Sequence, residues 1–276
     1  MSGSNNRAGG RTVLGLVGAG MIVASLGGGA LAGGDKLPDG FVYLKELAPG
    51  IRQDMRYAGA DNFTGAVVPG YAAGACILAR PVAAGLAKVQ ADLARDGFGL
   101  KVFDCYRPVR AVQGFMKWAD GKAGPGDKSY FPRVARGRII ELGYVARRSS
   151  HSLGTAVDLT LVWLGKGDDD GAKGAAKRED KGAGEGRSEG EARPVTCLAA
   201  ARFNRSDDEV DMGTAFDCFD ANSHTASQAV GAAQREARQR LVKAMSARGF
   251  RNYAKEWWHF SMPLAAFKTA QDFPVR

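Results

Sequence analysis

Residues 80–99 carry apolar side chains at helical spacing, at positions Val82, Leu86, Val89 and Leu93. Because these positions fall on one face of an α-helix, the stretch predicts an amphipathic helix, which Gly97 closes. Residues 234–250 (QREARQRLVKAMSARGF) repeat the pattern with Leu241 and Met245. The sequence thus predicts two helices, each with one buried face.

Other stretches alternate between apolar and polar positions, as strands do. Residues 100–107 form such a stretch, and Pro108 stops it before a further helix. The run AVDLTL over 156–161 predicts a half-buried strand, and 252–262 (NYAKEWWHFSM) is predicted as the final strand. Strands with a few interspersed helices favour an α+β fold, with a mainly antiparallel sheet flanked by helices in a single domain.

The size and composition of the chain are those of an ordinary globular protein. It has 276 residues, of which 45% are hydrophobic and 24% are charged. The formal net charge of +9 is not gathered in a basic run interleaved with aromatic residues. We therefore expect no nucleic-acid partner.

The first 32 residues have the three parts of a secretory signal peptide. Arg7 and Arg11 precede an uncharged stretch, 12–32, that ends in Ala-Leu-Ala. A basic start, an apolar centre and an A-x-A end predict export, with residues 33–276 as the folded domain in the bacterial periplasm. An uncleaved membrane anchor is the alternative, because about 20 apolar residues can span a bilayer. We expect membrane contact only through this segment, if it is uncleaved.

Residues 165–196 interrupt the apolar patterning. The stretch is rich in glycine and in charges of both signs, and it offers little that a core could bury. Such a composition predicts a disordered, charged insertion at the surface.

The four cysteines lie at positions 76, 105, 197 and 218, a spacing that fits no zinc ribbon. In an exported protein they can form one or two disulfides. Cys76 with Cys105, and Cys197 with Cys218, are the pairs nearest in sequence, but the sequence leaves the connectivity open.

Two of the three histidines lie near acidic residues in apolar surroundings. His151 precedes Asp158, and His259 follows Glu256. A carboxylate inside an apolar strand, such as Asp158, requires a positive partner. Two imidazoles and one carboxylate would bind zinc and leave a fourth tetrahedral position open, as catalytic zinc sites do. Glu256 would then be a nearby carboxylate, free of the metal, that takes up a proton.

Arg107 is a positive charge at the end of a predicted buried strand. Residues 103–108 read FDCYRP, and the proline fixes the direction of the chain after the arginine. One interpretation is an ion pair with Asp104 that only stabilises the fold. The other is a cation that stabilises the oxyanion formed when a scissile carbonyl is attacked.

Five motifs, in this order, resemble those of the D-alanyl-D-alanine dipeptidase family. They are ADNFTG (60–65), DCYRPVRAV (104–112), SSHSLGTAVDLTL (149–161), DMGTAFD (211–217) and EWWHF (256–260). The resemblance runs from about Leu37 to the final DFPVR. The N-terminal export segment and the charged insertion depart from the compact members of the family.

The resemblance implies one zinc ion per chain, held by His151, Asp158 and His259. Glu256 would be the general base, which later delivers its proton to the leaving amine, and Arg107 would stabilise the tetrahedral intermediate.

The resemblance also implies a site that holds a free dipeptide by both of its ends. Asp217 and Tyr57 match positions associated with the substrate's ammonium group, and Ser149 matches one near its carboxylate. The alternatives are that Asp217 caps a turn and that Ser149 only orients the loop before His151.

The function implied by the resemblance is zinc-dependent hydrolysis of D-Ala-D-Ala or similar D,D-dipeptides in peptidoglycan turnover or recycling. The alternative is a D,D-carboxypeptidase or wall endopeptidase of the same superfamily that acts on longer peptides. A small closed cavity with Asp217 at one end would favour the dipeptidase. A catalytically silent wall-binding module is disfavoured, because the expected ligands, base and arginine are all present.

Overall fold

The computed structural model describes residues 36–165, 195–199, 203, 206 and 208–276. The predicted signal peptide (1–32) and nearly all of the predicted insertion (165–196) lie outside these residues. Within the described ranges, no helix combines the length and the hydropathy needed to cross a membrane.

The β structure consists of a five-stranded sheet and a separate pair of strands. The strands are β1 (Phe41–Tyr43), β2 (Arg52–Gln53), β3 (Ile77–Ala79), β4 (Phe98–Asp104), β5 (Ala156–Trp163), β6 (Arg251–Asn252) and β7 (His259–Ser261). The larger sheet has the order β2-β4-β5-β7-β6, in which β2 and β4 run parallel and the other neighbours antiparallel. Strands β1 and β3 form the antiparallel pair. The predicted α+β fold with a mainly antiparallel sheet is confirmed.

The α-helices of the described part are α1 (Leu44–Leu47), α2 (Arg80–Ala94), α3 (Val109–Ala119) and α4 (Ala232–Ser246). Helix α2 buries the four apolar side chains whose spacing predicted it, and α4 buries Leu241 and Met245. Helix α3 begins directly after Pro108, as the sequence indicated. Helix α2 contacts β4 and α4 contacts β5, so these two helices flank the centre of the sheet.

Strand β5 is buried almost throughout, so the expectation of a half-buried strand was wrong. All of its residues except the terminal Trp163 are buried. Thr160 lines a small cavity with Met212 and Phe216, in a segment that lies against the sheet. Because protein covers both sides of the strand, its polar positions Asp158 and Thr160 are buried instead of facing water.

The predicted final strand over 252–262 is also corrected. Only its two ends are strands, β6 and β7, and residues 253–258 form a turn between them. The side-chain amide of Asn252 donates to the carbonyl oxygens of Glu256 and His259, both at 3.0 Å. These bonds hold the turn, and Glu256 therefore lies on a loop and not on a strand.

Both disulfides join the cysteines that are nearest in sequence. Cys76 is bonded to Cys105, and Cys197 to Cys218. The first ties the start of β3 to the end of β4, and the second lies beside Asp217.

Candidate active site

The three predicted metal ligands converge at one end of the central strands. Asp158 of β5 and His259 of β7 are direct partners in the antiparallel ladder. His151 lies on a short 3₁₀ turn, Ser150–Leu153, just before β5. His259 Nδ1 is 2.9 Å from Asp158 Oδ1 and 3.1 Å from His151 Nε2, and the latter is 3.3 Å from Asp158 Oδ1. The three donor atoms therefore form a compact triangle.

The triangle has dimensions that suit a tetrahedral zinc ion. Ligand atoms bound to zinc at about 2.0–2.1 Å are separated by roughly 3.3 Å, close to the three distances found here. The ring of His151 is oriented for this purpose, because its Nδ1 donates to the carbonyl oxygen of Cys105 at 2.6 Å. Its Nε2 then faces the other two ligands with a free lone pair.

The charge states of the ligands also suit a cation. Burial alone would raise the pKa of Asp158, but the neighbouring His151 and His259 outweigh it and hold the pKa well below its ordinary value. Burial lowers the pKa of His259, although its hydrogen bond to Asp158 acts in the opposite direction. An ionised carboxylate and a neutral imidazole are the forms that bind metal ions.

Arg107 fits both interpretations made from its sequence. Its Nε donates to Asp104 Oδ2 at 2.8 Å, the structural ion pair. Its Nη2 also lies 3.4 Å from Asp158 Oδ2, and the guanidinium carbon lies 5.2 Å from the centre of the Tyr57 ring. The ion pair thus fixes a cation that lines the same cavity as the metal ligands.

Glu256 reaches the cavity from the turn between β6 and β7. Its Oε2 is 4.0 Å from His259 Nδ1, and the residue is only 8% exposed. Burial, assisted by the charges of Asp158 and Asp217, raises the pKa of Glu256 well above its ordinary value. A bound metal ion would act in the opposite direction, because a nearby positive charge favours the carboxylate. The side chain is therefore placed to accept and release a proton.

Asp217 and Tyr57 form a hydrogen-bonded pair in the wall of the same cavity. The Tyr57 hydroxyl donates to Asp217 Oδ2 at 2.7 Å, and both residues are buried. Asp217 has a φ of 58°, in the left-handed region that non-glycine residues rarely adopt. Burial, and then the charge of Asp158, raise the pKa of Asp217 well above its ordinary value. A strained, buried carboxylate of this kind is typical of a ligand-binding position.

Ser149 caps the turn that carries His151. Its hydroxyl accepts a hydrogen bond from the backbone N–H of His151 at 3.2 Å. This is the contact expected if Ser149 orients the loop before His151. Ser149 also lines the cavity, as do the other seven residues singled out from the sequence.

The cavity that unites these residues has a volume of about 240 Å³. Drug-sized ligands usually occupy cavities of roughly 300–1,000 Å³, so this one suits a smaller molecule. It contains two arginines, Arg107 and the exposed Arg148. Sequence reasoning passed over Arg148, although it stands next to Ser149. It also missed the Cys105 carbonyl, a backbone group that no side-chain pattern reveals.

Comparison with known proteins identifies the family of the chain. The peptidase family M15, described as D-ala-D-ala dipeptidase, matches residues 38–171 and 190–275. The break in the match falls inside the predicted insertion.

Individual relatives match over most of their own length. A D-alanyl-D-alanine dipeptidase of Enterococcus faecalis is 34% identical over 230 residues, which is 82% of this chain and 93% of the relative. One of Streptomyces coelicolor is 34% identical over 85% of this chain and 98% of the relative. One of Escherichia coli is 29% identical over 82% of this chain and 86% of the relative. The chain therefore belongs to the D-Ala-D-Ala dipeptidase family of M15 peptidases.

Proposed function

We propose that this protein is a zinc dipeptidase that hydrolyses D-Ala-D-Ala or similar D,D-dipeptides. The observation that carries the proposal is the arrangement of charges in one small cavity. Three side chains that could hold a metal ion, Glu256, and the hydrogen-bonded pair of Asp217 and Tyr57 all line it. Relatives of similar length are named as D-alanyl-D-alanine dipeptidases.

His151, Asp158 and His259 would hold the zinc ion. When bound there, zinc supplies Lewis-acid chemistry, polarising the scissile carbonyl and making water easier to deprotonate. Glu256 takes a proton from the attacking water and passes it to the leaving amine. Arg107, held in place by Asp104, donates to the oxygen of the carbonyl as that oxygen becomes negative.

The two ends of a free dipeptide match the two remaining charges of the cavity. Asp217, assisted by the Tyr57 hydroxyl, binds the ammonium group. Ser149 and its neighbour Arg148 also line the cavity, and they bind the carboxylate. A peptide without a free amino group near the scissile bond would leave the buried Asp217 carboxylate without a positive partner, which disfavours such a peptide.

The size of the cavity supports a dipeptidase over a carboxypeptidase or endopeptidase of the same superfamily. A cavity of about 240 Å³ suits a molecule of the size of a dipeptide better than the longer stem of a wall peptide. Mass spectrometry of D-Ala-D-Ala and of a wall pentapeptide, each incubated with the zinc-loaded protein, distinguishes them. We expect release of D-Ala from the dipeptide alone. Cleavage of the pentapeptide at a comparable rate would favour the alternative.

The Glu256→Gln variant tests the assignment of the base. The substitution keeps the shape of the side chain but removes its ability to accept a proton. We expect turnover to fall by about 10²–10⁴-fold, while the zinc content measured by atomic absorption stays at one per chain. Glu141→Gln, at an exposed glutamate, is the control and should retain activity. Retained activity in Glu256→Gln would refute the assignment.

We also propose that the protein is exported to the periplasm, where it acts in peptidoglycan turnover or recycling. The signal-like residues 1–32 and the two disulfides support this location, because disulfides persist mainly in oxidising compartments. N-terminal sequencing of protein from the periplasmic fraction should find a chain that begins after Ala32. Full-length protein confined to the cytoplasm would contradict this.

A further inference from the structure

The carbonyl oxygen of Cys105 sets the orientation of one proposed metal ligand. It accepts the Nδ1–H of His151 at 2.6 Å, and His151 is 1% exposed. A second hydrogen-bonding partner of this kind fixes the tautomer and direction of a ligating imidazole. The position of the Cys105 carbonyl therefore decides where the Nε2 of His151 points.

Pairing within the sheet does not extend to Cys105. Strand β4 ends at Asp104, which is the last residue of β4 to have a partner in β5. Beyond that point, two links join the chain to Cys76 and Ile77, at the start of β3. They are the Cys76–Cys105 disulfide and a hydrogen bond from Tyr106 N to Ile77 O at 2.8 Å. The disulfide is the covalent one of the two.

Cys76 is itself a fixed anchor. Its backbone N–H donates to Gln53 Oε1 at 2.9 Å, and its carbonyl oxygen accepts from Leu44 N at 2.9 Å. Both sulfur-bearing residues of the bond are buried, Cys76 at 1% and Cys105 at 0% exposure. The disulfide therefore fixes Cys105 relative to Cys76, which is itself held at the start of β3.

The same short segment carries Arg107. Its backbone N–H donates to the carbonyl oxygen of His151 at 3.2 Å. Residues 105–107 and the turn around His151 are thus joined by two hydrogen bonds, one from the ring of His151 and one to its backbone. Movement of Cys105 would displace the ligand ring and the arginine together.

We propose that the Cys76–Cys105 disulfide is a positioning element of the metal site, which holds the Cys105 carbonyl where it orients His151. The inference rests on the metal site of the proposed function. Breaking this bond lowers the affinity for zinc itself, an effect separate from any loss of stability.

The second disulfide provides a matched control. Cys197–Cys218 closes a sequence separation of 21 residues, and Cys76–Cys105 one of 29. Because the entropy of loop closure depends only logarithmically on length, removing either bond has a similar effect on the unfolded chain. Cys218 is adjacent in sequence to Asp217, the proposed ammonium-binding residue, and the Sγ of Cys197 contacts the Tyr130 carbonyl. Loss of the Cys197–Cys218 disulfide should alter dipeptide binding more than zinc binding.

The test compares the full chain with the double variants Cys76→Ala/Cys105→Ala and Cys197→Ala/Cys218→Ala. Zinc dissociation constants are measured by competition with a chromophoric chelator, well below the thermal midpoint of each protein. We expect a rise of about tenfold or more in the first variant and a change of no more than about twofold in the second. The visible absorption of bound Co²⁺, which reports ligand geometry, should change only in the first.

Equal zinc affinities in the two variants, whether both unchanged or both weakened, would overturn the inference. If Cys76→Ala/Cys105→Ala does not fold, Cys76→Val/Cys105→Ala replaces it and refills part of the lost volume. Failure of this variant to fold would make the bond a requirement of the fold and overturn the inference as well. If the unaltered chain binds no zinc, the proposed function and this inference both fail. If the unaltered chain binds zinc and the two double variants have equal affinities, only the role of the disulfide is refuted.

Discussion

Asp217 combines two unfavourable features in one residue. Its backbone is in the left-handed region, and its carboxylate is buried, which raises its pKa. Neither feature stabilises the ligand-free fold, because backbone strain and a buried charge both favour the unfolded chain. In the proposed function, both become useful when an ammonium group is bound, since the site is then already shaped and charged for it.

The Asp217→Asn variant should therefore be more stable than the unaltered protein and less active. The folded pKa of Asp217 lies above its unfolded value of about 3.9. Between these values the folded state holds a proton that the unfolded state has lost, so stability falls as the pH rises through this window. Urea unfolding without substrate should show a gain of about 1 kcal/mol or more at pH 7 and a smaller gain near pH 4.

Activity measurements complete this test. Loss of the ammonium-binding charge should lower kcat/KM for D-Ala-D-Ala by about 10²-fold. Tyr57→Phe is the comparison, because it removes the hydroxyl but leaves the charge, so it should reduce activity less and should not stabilise the protein. A stability gain in Asp217→Asn that is the same at both pH values would contradict the explanation.

At the scale of elements, the turn that carries His151 is held by its closing glycine. Gly154 has a φ of 69° and its carbonyl oxygen accepts from Ala79 N at 2.9 Å. A Cβ at this position would overlap the ring of Phe41 and lie 3.2 Å from the backbone nitrogen of Ala79. Both the conformation and the close approach to β3 require glycine.

The Gly154→Ala variant should lose stability and bind zinc more weakly. Gly97→Ala is the matched control, because Gly97 also has a positive φ, of 79°, but has open space where a Cβ would stand. The left-handed conformation alone costs about 1–2 kcal/mol in either variant, and overpacking adds about 1–3 kcal/mol at Gly154. Urea unfolding and zinc titration measure the two effects. Equal losses in the two variants would show that the approach to Phe41 and Ala79 does not matter.

The sequence predicted elements best where the pattern was long and one-sided. Helices α2 and α4 follow from apolar residues that repeat over several turns, and both are present. Strand β5 was recognised, but its burial on both faces depends on the residue 210–216 segment, which no local pattern connects to it. The turn at residues 253–258 was missed because tryptophan, present at 257 and 258, is common in strands. The hydrogen bonds of Asn252 that hold the turn are visible only in three dimensions.

The candidate site was predictable for a different reason. Metal ligands and proton-transfer groups belong to a few residue types, and His151, Asp158, Glu256 and His259 stand out by type and by apolar surroundings. The backbone group at Cys105 and the exposed Arg148 have no such pattern. Their contributions depend on where the fold places them.

For the molecule as a whole, a bound metal ion should join parts that are distant in sequence. In the proposed function, zinc would bind the folded chain through three side chains that the unfolded chain does not bring together, so it should stabilise the fold. At a free zinc concentration of 100 times the dissociation constant, the gain is about 2.7 kcal/mol. The thermal midpoint measured by calorimetry should therefore rise by about 5–10 °C.

The control for this prediction is His259→Ala, which lacks one of the three ligands. Its thermal midpoint should not respond to zinc over the same range of concentrations. An equal shift in this variant would mean that zinc stabilises the protein from another site.

The pairing of Asp158 with His259 across β5 and β7 has a consequence for biosynthesis. These two residues are 101 positions apart, and the ladder that aligns them exists only after β7 has docked. A chain in which β7 has not yet docked can offer His151 and Asp158 but does not have His259 in place to complete the triangle. Peptidase activity therefore begins only after one of the last strands has joined the sheet, so a nascent chain remains inactive until its folding is nearly complete.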